Sequence, residues 1–167
     1  MTRLILAILL LIPSFSWPLD AQVAFSPDRG ATALVVKTIG DAKQSVRVAA
    51  YFTSKPIAEA LLDAHKRVID VEVVVDKSQA TARYTAATFL ADQGVPVRVD
   101  SRYAIMHDKF MVVDGMIVEE GSFNYTTAAE NRNAGNVVTL HSPDVASQYA
   151  REWERLWAES GTLKARY

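Results

Sequence analysis

Cysteine is absent from the 167 residues, which excludes disulfides and a lipid-modified N-terminal cysteine. No apolar run is long enough to span a bilayer. Leu4–Ile12 (LILAILLLI) has nine residues, against the roughly 20 a transmembrane helix needs, and Pro13 and Pro18 interrupt it. The net charge is only −1, so there is no overall basic field, and a nucleic-acid partner requires a local positive patch. A Gly-Ser linker, a low-complexity tract and a long charge run are all lacking as well. Nothing divides the chain, and its length suits one domain.

What stands at the N-terminus is a positive residue, Arg3, then the apolar run, then Pro13, Ser14, Ser16 and Pro18 before the small residue Ala21. That is the layout of a secretory signal peptide. Residues 1–21 are therefore expected to be cleaved, leaving residues 22–167 as a single exported domain, periplasmic or secreted. Without disulfides, such a domain relies on its core or on a partner subunit.

The remainder alternates helix and strand signals. Helical spacing covers Ala31–Lys43, Lys55–Arg67 (with Pro56 in its first turn) and Gln79–Gln93, which stops at Gly94. Strand patterns cover Ser45–Tyr51, Val71–Val75, Val97–Val99, Phe110–Val113, Met116–Glu119 and Asn136–Leu140. Ser142-Pro143 caps a last helix with Val145, Tyr149, Trp153 and Leu156 on one face. This order predicts an α/β fold, a mixed β-sheet flanked by helices on both faces.

The chemistry concentrates between Met106 and Asn133. His107 and Lys109 are two residues apart on an extended segment, where side chains alternate, so they are expected on one face, with Asp108 pointing away. Asp114-Gly115 makes a tight turn. The returning strand ends at Gly121-Ser122-Phe123-Asn124, which is expected to bring Ser122 and Asn124 beside His107 and Lys109. An imidazole, a cation, a hydroxyl and an amide at one spot suit a phosphodiester. Lys109, Ser122 and Asn124 can neutralise non-bridging oxygens, and His107 can attack phosphorus to form a phosphohistidine. One histidine beside a cation, with no clustered carboxylates, makes a poor metal cage, so neither metal nor other cofactor is expected.

The spacing His-x-Lys-x4-Asp-x6-Gly-Ser-x-Asn resembles the HKD motif of the phospholipase D superfamily. The chain from Val23 through Trp157, and EGSFNYTTAAENRN in particular, is similar to the small single-motif branch of exported bacterial endonucleases. The resemblance implies an α-β-α sandwich and metal-independent hydrolysis through a phosphohistidine. It also implies two motifs per active site. By position, His107 becomes nucleophile or acid, and Lys109, Ser122 and Asn124 bind phosphate. Asp114 completes the catalytic motif, with a structural rather than a substrate-touching role expected. His65-Lys66-Arg67 imitates the motif without a following Gly-Ser and reads as a decoy, and His141 lacks a cationic partner. The second motif is then expected from a symmetry mate, in a homodimer with the active site on the two-fold axis.

The family's carboxylate before Asn136, which helps orient the histidine, is replaced here by Gly135. Glu130 is the candidate substitute, although Thr127–Glu130 also reads as a capping box. Three functional readings follow. A non-specific nuclease acting on DNA or RNA would draw on Lys55, Arg83, Arg98, Arg102 and Arg132 for its patch. A phospholipase D-type hydrolase of anionic lipid is the second, and a catalytically weakened nucleic-acid-binding homologue the third.

Overall fold

Near-continuous apolar runs in the central strands, such as Val73–Val75 and Phe110–Val113, mark a sheet covered on both faces. A computed structural model of the protein describes residues 20–81 and 85–165. Its elements run β1 (Asp20–Ser26), α1 (Ala31–Asp41), β2 (Ser45–Ala50), α2 (Lys55–Lys66), β3 (Asp70–Asp76), α3 (Ser78–Thr81) and α4 (Ala86–Asp92). Then follow β4 (Val97–Asp100), β5 (Lys109–Val113), β6 (Ile117–Gly121), α5 (Thr127–Arg132), β7 (Gly135–His141), α6 (Pro143–Glu159) and β8 (Gly161–Thr162). The described residues form one eight-stranded sheet in the order β1-β7-β6-β5-β2-β3-β4-β8. β2, β3 and β4 are parallel, and the remaining pairings are antiparallel.

One face carries Val46, Val48, Val71, Val73, Met111 and Val113, packed with Val35, Ile39, Leu61 and Leu90 from α1, α2 and α4. The other carries Ala49, Val74, Phe110, Val112 and Val118 against Ala146, Trp153 and Leu156 of α6. Burial of each large aliphatic contributes about 1.5–3 kcal/mol. α6 is further fixed by the Trp153 indole, which donates to the Val48 carbonyl at 3.0 Å. The predicted sandwich with helices on both faces is the fold observed.

The differences from expectation are local. The helix expected over Gln79–Gln93 is broken, because Thr85 restarts it. The Thr85 hydroxyl accepts from the Thr88 N–H, and Thr88 returns the bond to the Thr85 N–H, a reciprocal N-cap. Arg83 lies outside the described residues, as do residues 1–19 of the expected leader. β1 begins at Asp20 and pairs Asp20 with His141 and Ala21 with Leu140, so a cut after Ala21 would trim two residues from this strand. β1 and β8 had no clear sequence signal, being an edge strand and a two-residue strand, and α5 had only the capping pattern at Thr127–Glu130.

The antiparallel strands set where the polar residues meet. β5 starts, β6 ends and β7 starts at the edge where the parallel strands have their C-termini. His107, Ser122 and Asn136 therefore share one end of the sheet. Asp114-Gly115 lies at the other, both residues with positive φ (54° and 64°), as a type I′ hairpin turn requires.

Candidate active site

The approach to β5 is anchored before the chemistry begins. Asp76, at the end of β3, accepts from the Met106 N–H at 2.8 Å and from the Ser78 N–H at 2.9 Å. Met106 is buried in the core under α6, and the next residue, His107, emerges exposed. The ladder begins only at Lys109. His107 and Asp108 therefore precede it, and strand alternation does not govern them. Asp108, expected to point away, lines the same cavity as its neighbours.

That cavity holds about 390 Å³. His107, Asp108, Lys109 and Phe110 line it from the start of β5, Glu120, Gly121 and Ser122 from the end of β6, and Tyr149 from α6. The Lys109 ammonium donates to the His107 carbonyl. Burial pulls its pKa below the ordinary lysine value, while Asp108 pushes back. Burial raises the Tyr149 phenol, and Glu120 and Asp108 add to the shift. A larger cavity, about 510 Å³, opens between α2 and α4 beside Thr53, Ala58 and Phe89. It contains no residue of the motif, so the smaller cavity is the one with chemistry.

Ser122 is held by Asn136, a residue the sequence offered only as a landmark. The Ser122 hydroxyl donates to Asn136 Oδ1 at 2.8 Å, and the Asn136 N–H donates to Ser122 Oγ at 3.1 Å. Gly121 allows this approach, since a Cβ there would sit 2.1 Å from the Asn136 carbonyl oxygen. Asn124 does not line the cavity as expected; its Oδ1 is buried without a partner. Asp108, Glu120 and Tyr149 were missed, because only the packing of α6 over the β5–β6 hairpin brings them together.

Other expectations change too. Asp114 sits at the far end of β5, roughly 17 Å of strand from Lys109. There it accepts from the N–H groups of Lys43 (2.8 Å), Gln44 (2.7 Å) and Ser45 (2.9 Å), the structural role foreseen for it. Glu130 neither orients His107 nor caps its own helix. Thr126 is the N-cap of α5, and the Glu130 carboxylate accepts from the backbone N–H of Thr32 at 3.1 Å and from its hydroxyl. It thus supplies α1 with the cap that Gly30 cannot. A Cβ at Gly135 would stand 3.5 Å from Ser122 Oγ and 3.0 Å from Ser26 Oγ, so this position does face the site, with Ser26 in the space a side chain would need.

The other histidines are elsewhere. His65 is in the last turn of α2, and His141 ends β7, with Nδ1 3.6 Å from Asp20. One chain's described residues thus place one imidazole at the cavity. Among them, no group of three or more His, Asp or Glu is arranged to hold a metal ion. Three of the five residues expected in a basic patch are engaged locally. Arg98 stacks on Trp157 (4.3 Å), Arg102 pairs with Glu159 (2.9 Å) and Lys55 with Glu59 (3.5 Å).

Comparison with known proteins gives a consistent picture. Residues 35–157 match the family model described as "Cardiolipin synthase, PLD-like domain". The crystal structure of Nuc from Salmonella typhimurium, described as a phospholipase D family member, superposes with a TM-score of 0.84 at 38% identity, covering 88% of this chain and 99% of that one. A phospholipase D of Rickettsia bellii is 32% identical over 141 residues, 84% of this chain and 70% of the relative. A mitochondrial cardiolipin hydrolase of Xenopus laevis is 35% identical over 133 residues, 79% of this chain and 63% of the relative.

Proposed function

Because the chain belongs to the phospholipase D superfamily, in its small Nuc-like branch, we propose that this phosphodiester hydrolase is a non-specific, metal-independent endonuclease. The observation that carries the reading is the shared cavity of His107, Lys109 and Ser122. An imidazole nitrogen of His107 attacks phosphorus, and the P–O bond to the leaving group breaks. A protonated second imidazole, the partner's His107, gives the departing oxygen its proton. That imidazole then takes a proton from water, whose oxygen displaces His107 from phosphorus and completes hydrolysis. Lys109 and the Ser122 hydroxyl neutralise the non-bridging oxygens. Asn124, the third phosphate ligand that the resemblance implies, is not among the residues lining the cavity of a single chain.

Two features support a two-fold homodimer around this site. Each chain offers one imidazole among the described residues. Val23 and Phe25 on the edge strand β1 are 58% and 48% exposed, and they lie in register through Val138 with Glu120 and directly beside Asn136. This apolar strip therefore borders the site. Export through residues 1–21 belongs to the same reading; among the described residues no helix is long and apolar enough to cross a membrane.

The names of the relatives, phospholipase D and cardiolipin hydrolase, support lipid as the second substrate class. Assays on plasmid DNA, RNA and anionic liposomes with a His107→Ala control separate the readings. Cleavage of nucleic acid by the wild type alone is expected. Liposome hydrolysis without nucleic-acid cleavage would transfer the same mechanism to lipid, and binding without cleavage would leave a binding module.

A further inference from the structure

Glu119 has no part in the mechanism above, yet it is only 1% exposed in the middle of β6. It faces the α1–α2 side of the sheet, flanked in register by Met111 of β5 and Thr139 of β7. Its carboxyl accepts the hydroxyl of Tyr125, which is itself fully buried. The Tyr125 backbone is bound as well. Its N–H donates to Tyr51 O at 3.1 Å, and its carbonyl accepts from Thr53 and Ser54 at 2.8 Å each. Between these two residues runs a short arc that carries Gly121, Ser122 and Asn124; along it Ser122 and Phe123 are tied to Asn136, and the Tyr125–Glu119 bond joins its two ends.

We propose that Glu119 is a positioning residue: by accepting the Tyr125 hydroxyl it closes this arc and sets Ser122 against Lys109. The inference rests on the reading of Ser122 as a phosphate ligand. The groups beside Glu119 are Tyr125 from the arc, Thr139 from β7 and Met111 from β5, with Glu120 next to it on the opposite face of its own strand, and none is a cation. Burial therefore dominates. It pushes the Glu119 pKa up to about 8, against the pull of the Tyr125 hydrogen bond and with a smaller push from Glu120. At neutral pH the side chain is a carboxylic acid, able to donate one proton and accept another. The Thr139 hydroxyl, its neighbour across the ladder, is buried without a partner and is the acceptor that such a donor suits.

The sign of the pH dependence follows. The unfolded chain releases this proton near 4.5 and the folded chain near 8. Stability from this group is complete below 4.5, is lost as pH rises toward 8, and is constant above. The loss is about tenfold in the unfolding equilibrium per pH unit. Glu119→Gln keeps the acceptor and removes the titration. The test compares melting temperatures of the full-length wild type and Glu119→Gln from about pH 5 to 9.5. It adds backbone hydrogen exchange and KM for Tyr125→Phe. The wild type is expected to lose melting temperature relative to Glu119→Gln up to about pH 8 and no further. Glu119→Gln should retain KM and kcat. Tyr125→Phe should speed exchange at residues 121–125 ahead of the rest of the sheet and raise KM about tenfold, the scale of one hydrogen bond. A melting difference independent of pH overturns the neutral acid. Wild-type exchange in Tyr125→Phe overturns the positioning role. If the wild type cleaves no phosphodiester, the functional reading fails, while melting and exchange still decide this one.

Discussion

Lys109 carries the one cationic side chain that lines the cavity among the described residues, held partly out of water over the His107 carbonyl. A fixed charge in that position does what a divalent ion does elsewhere, stabilising phosphate oxygens as charge develops on them. Hydrolysis is therefore expected to survive EDTA unchanged, while Lys109→Met slows it by about 10²–10³-fold with the fold intact. Restoration by Mg²⁺ after chelation would contradict this assignment of charge. At Gly135 the issue is space. A Cβ would press on Ser26 Oγ at 3.0 Å, and Ser26 is tied to the Asn133 carbonyl at 2.8 Å. Gly135→Glu is expected to cost about 1–2 kcal/mol in stability through overpacking and to preserve or raise the rate. Adding Ser26→Gly should recover the stability, and thermal melts with rate measurements on the single and double variants decide it. A large loss of rate that persists in the double variant would mean that the glycine backbone itself is required.

At the scale of elements, the carboxylates of Asp114 and Glu130 brace secondary structure. Burial opposes ionisation of Asp114, but its backbone N–H donors at Ser45, Lys43 and Gln44 prevail and hold its pKa below the usual value of 3.8. The stability it contributes is present above that value and disappears as pH falls through the lower folded pKa. Asp114→Asn cannot accept from all three donors and is expected to cost about 1–3 kcal/mol at neutral pH, with less difference from the wild type in strong acid. Glu130→Ala removes the cap and the favourable charge at the start of α1, worth about 1–2 kcal/mol. It should leave the pH–rate profile unshifted. A shifted acidic limb would instead show Glu130 acting on His107. Neither partner could be read from the sequence, because Glu130 meets Thr32, and Asp114 meets Lys43 to Ser45, across long chain separations.

At the scale of the whole molecule, the proposed mechanism makes activity a property of a pair. If each site needs His107 from both chains, a mixed dimer of wild type and His107→Ala has no complete site. Under free subunit exchange, activity is expected to follow the square of the wild-type fraction. At equal mixing about one quarter remains, against about one half for an independent site in each chain. Sedimentation of the variant, whose apolar strip at Val23 and Phe25 is untouched, checks that pairing persists. A linear curve with confirmed exchange would sink the two-chain mechanism.

The sequence by itself determined the periodic parts and the chemistry that local spacing carries. The apolar strand runs of β2, β3, β5 and β6, the helical faces of α1, α2 and α6, and the Ser142 cap depend on neighbours a few residues away. So does the placement of His107, Lys109 and Ser122 at the ends of one hairpin. Only the tertiary structure decided what meets across the chain: Asn136 on Ser122, Tyr149 and Glu120 in the cavity wall, Glu130 on α1, and Tyr125 on Glu119. It also left Asn124 out of the cavity lining and engaged Arg98 with Trp157 and Arg102 with Glu159. The physical reason is that side-chain hydrogen bonds and ion pairs act over a few ångströms, and which groups come within that range is set by sheet order and helix packing rather than by any period of the chain.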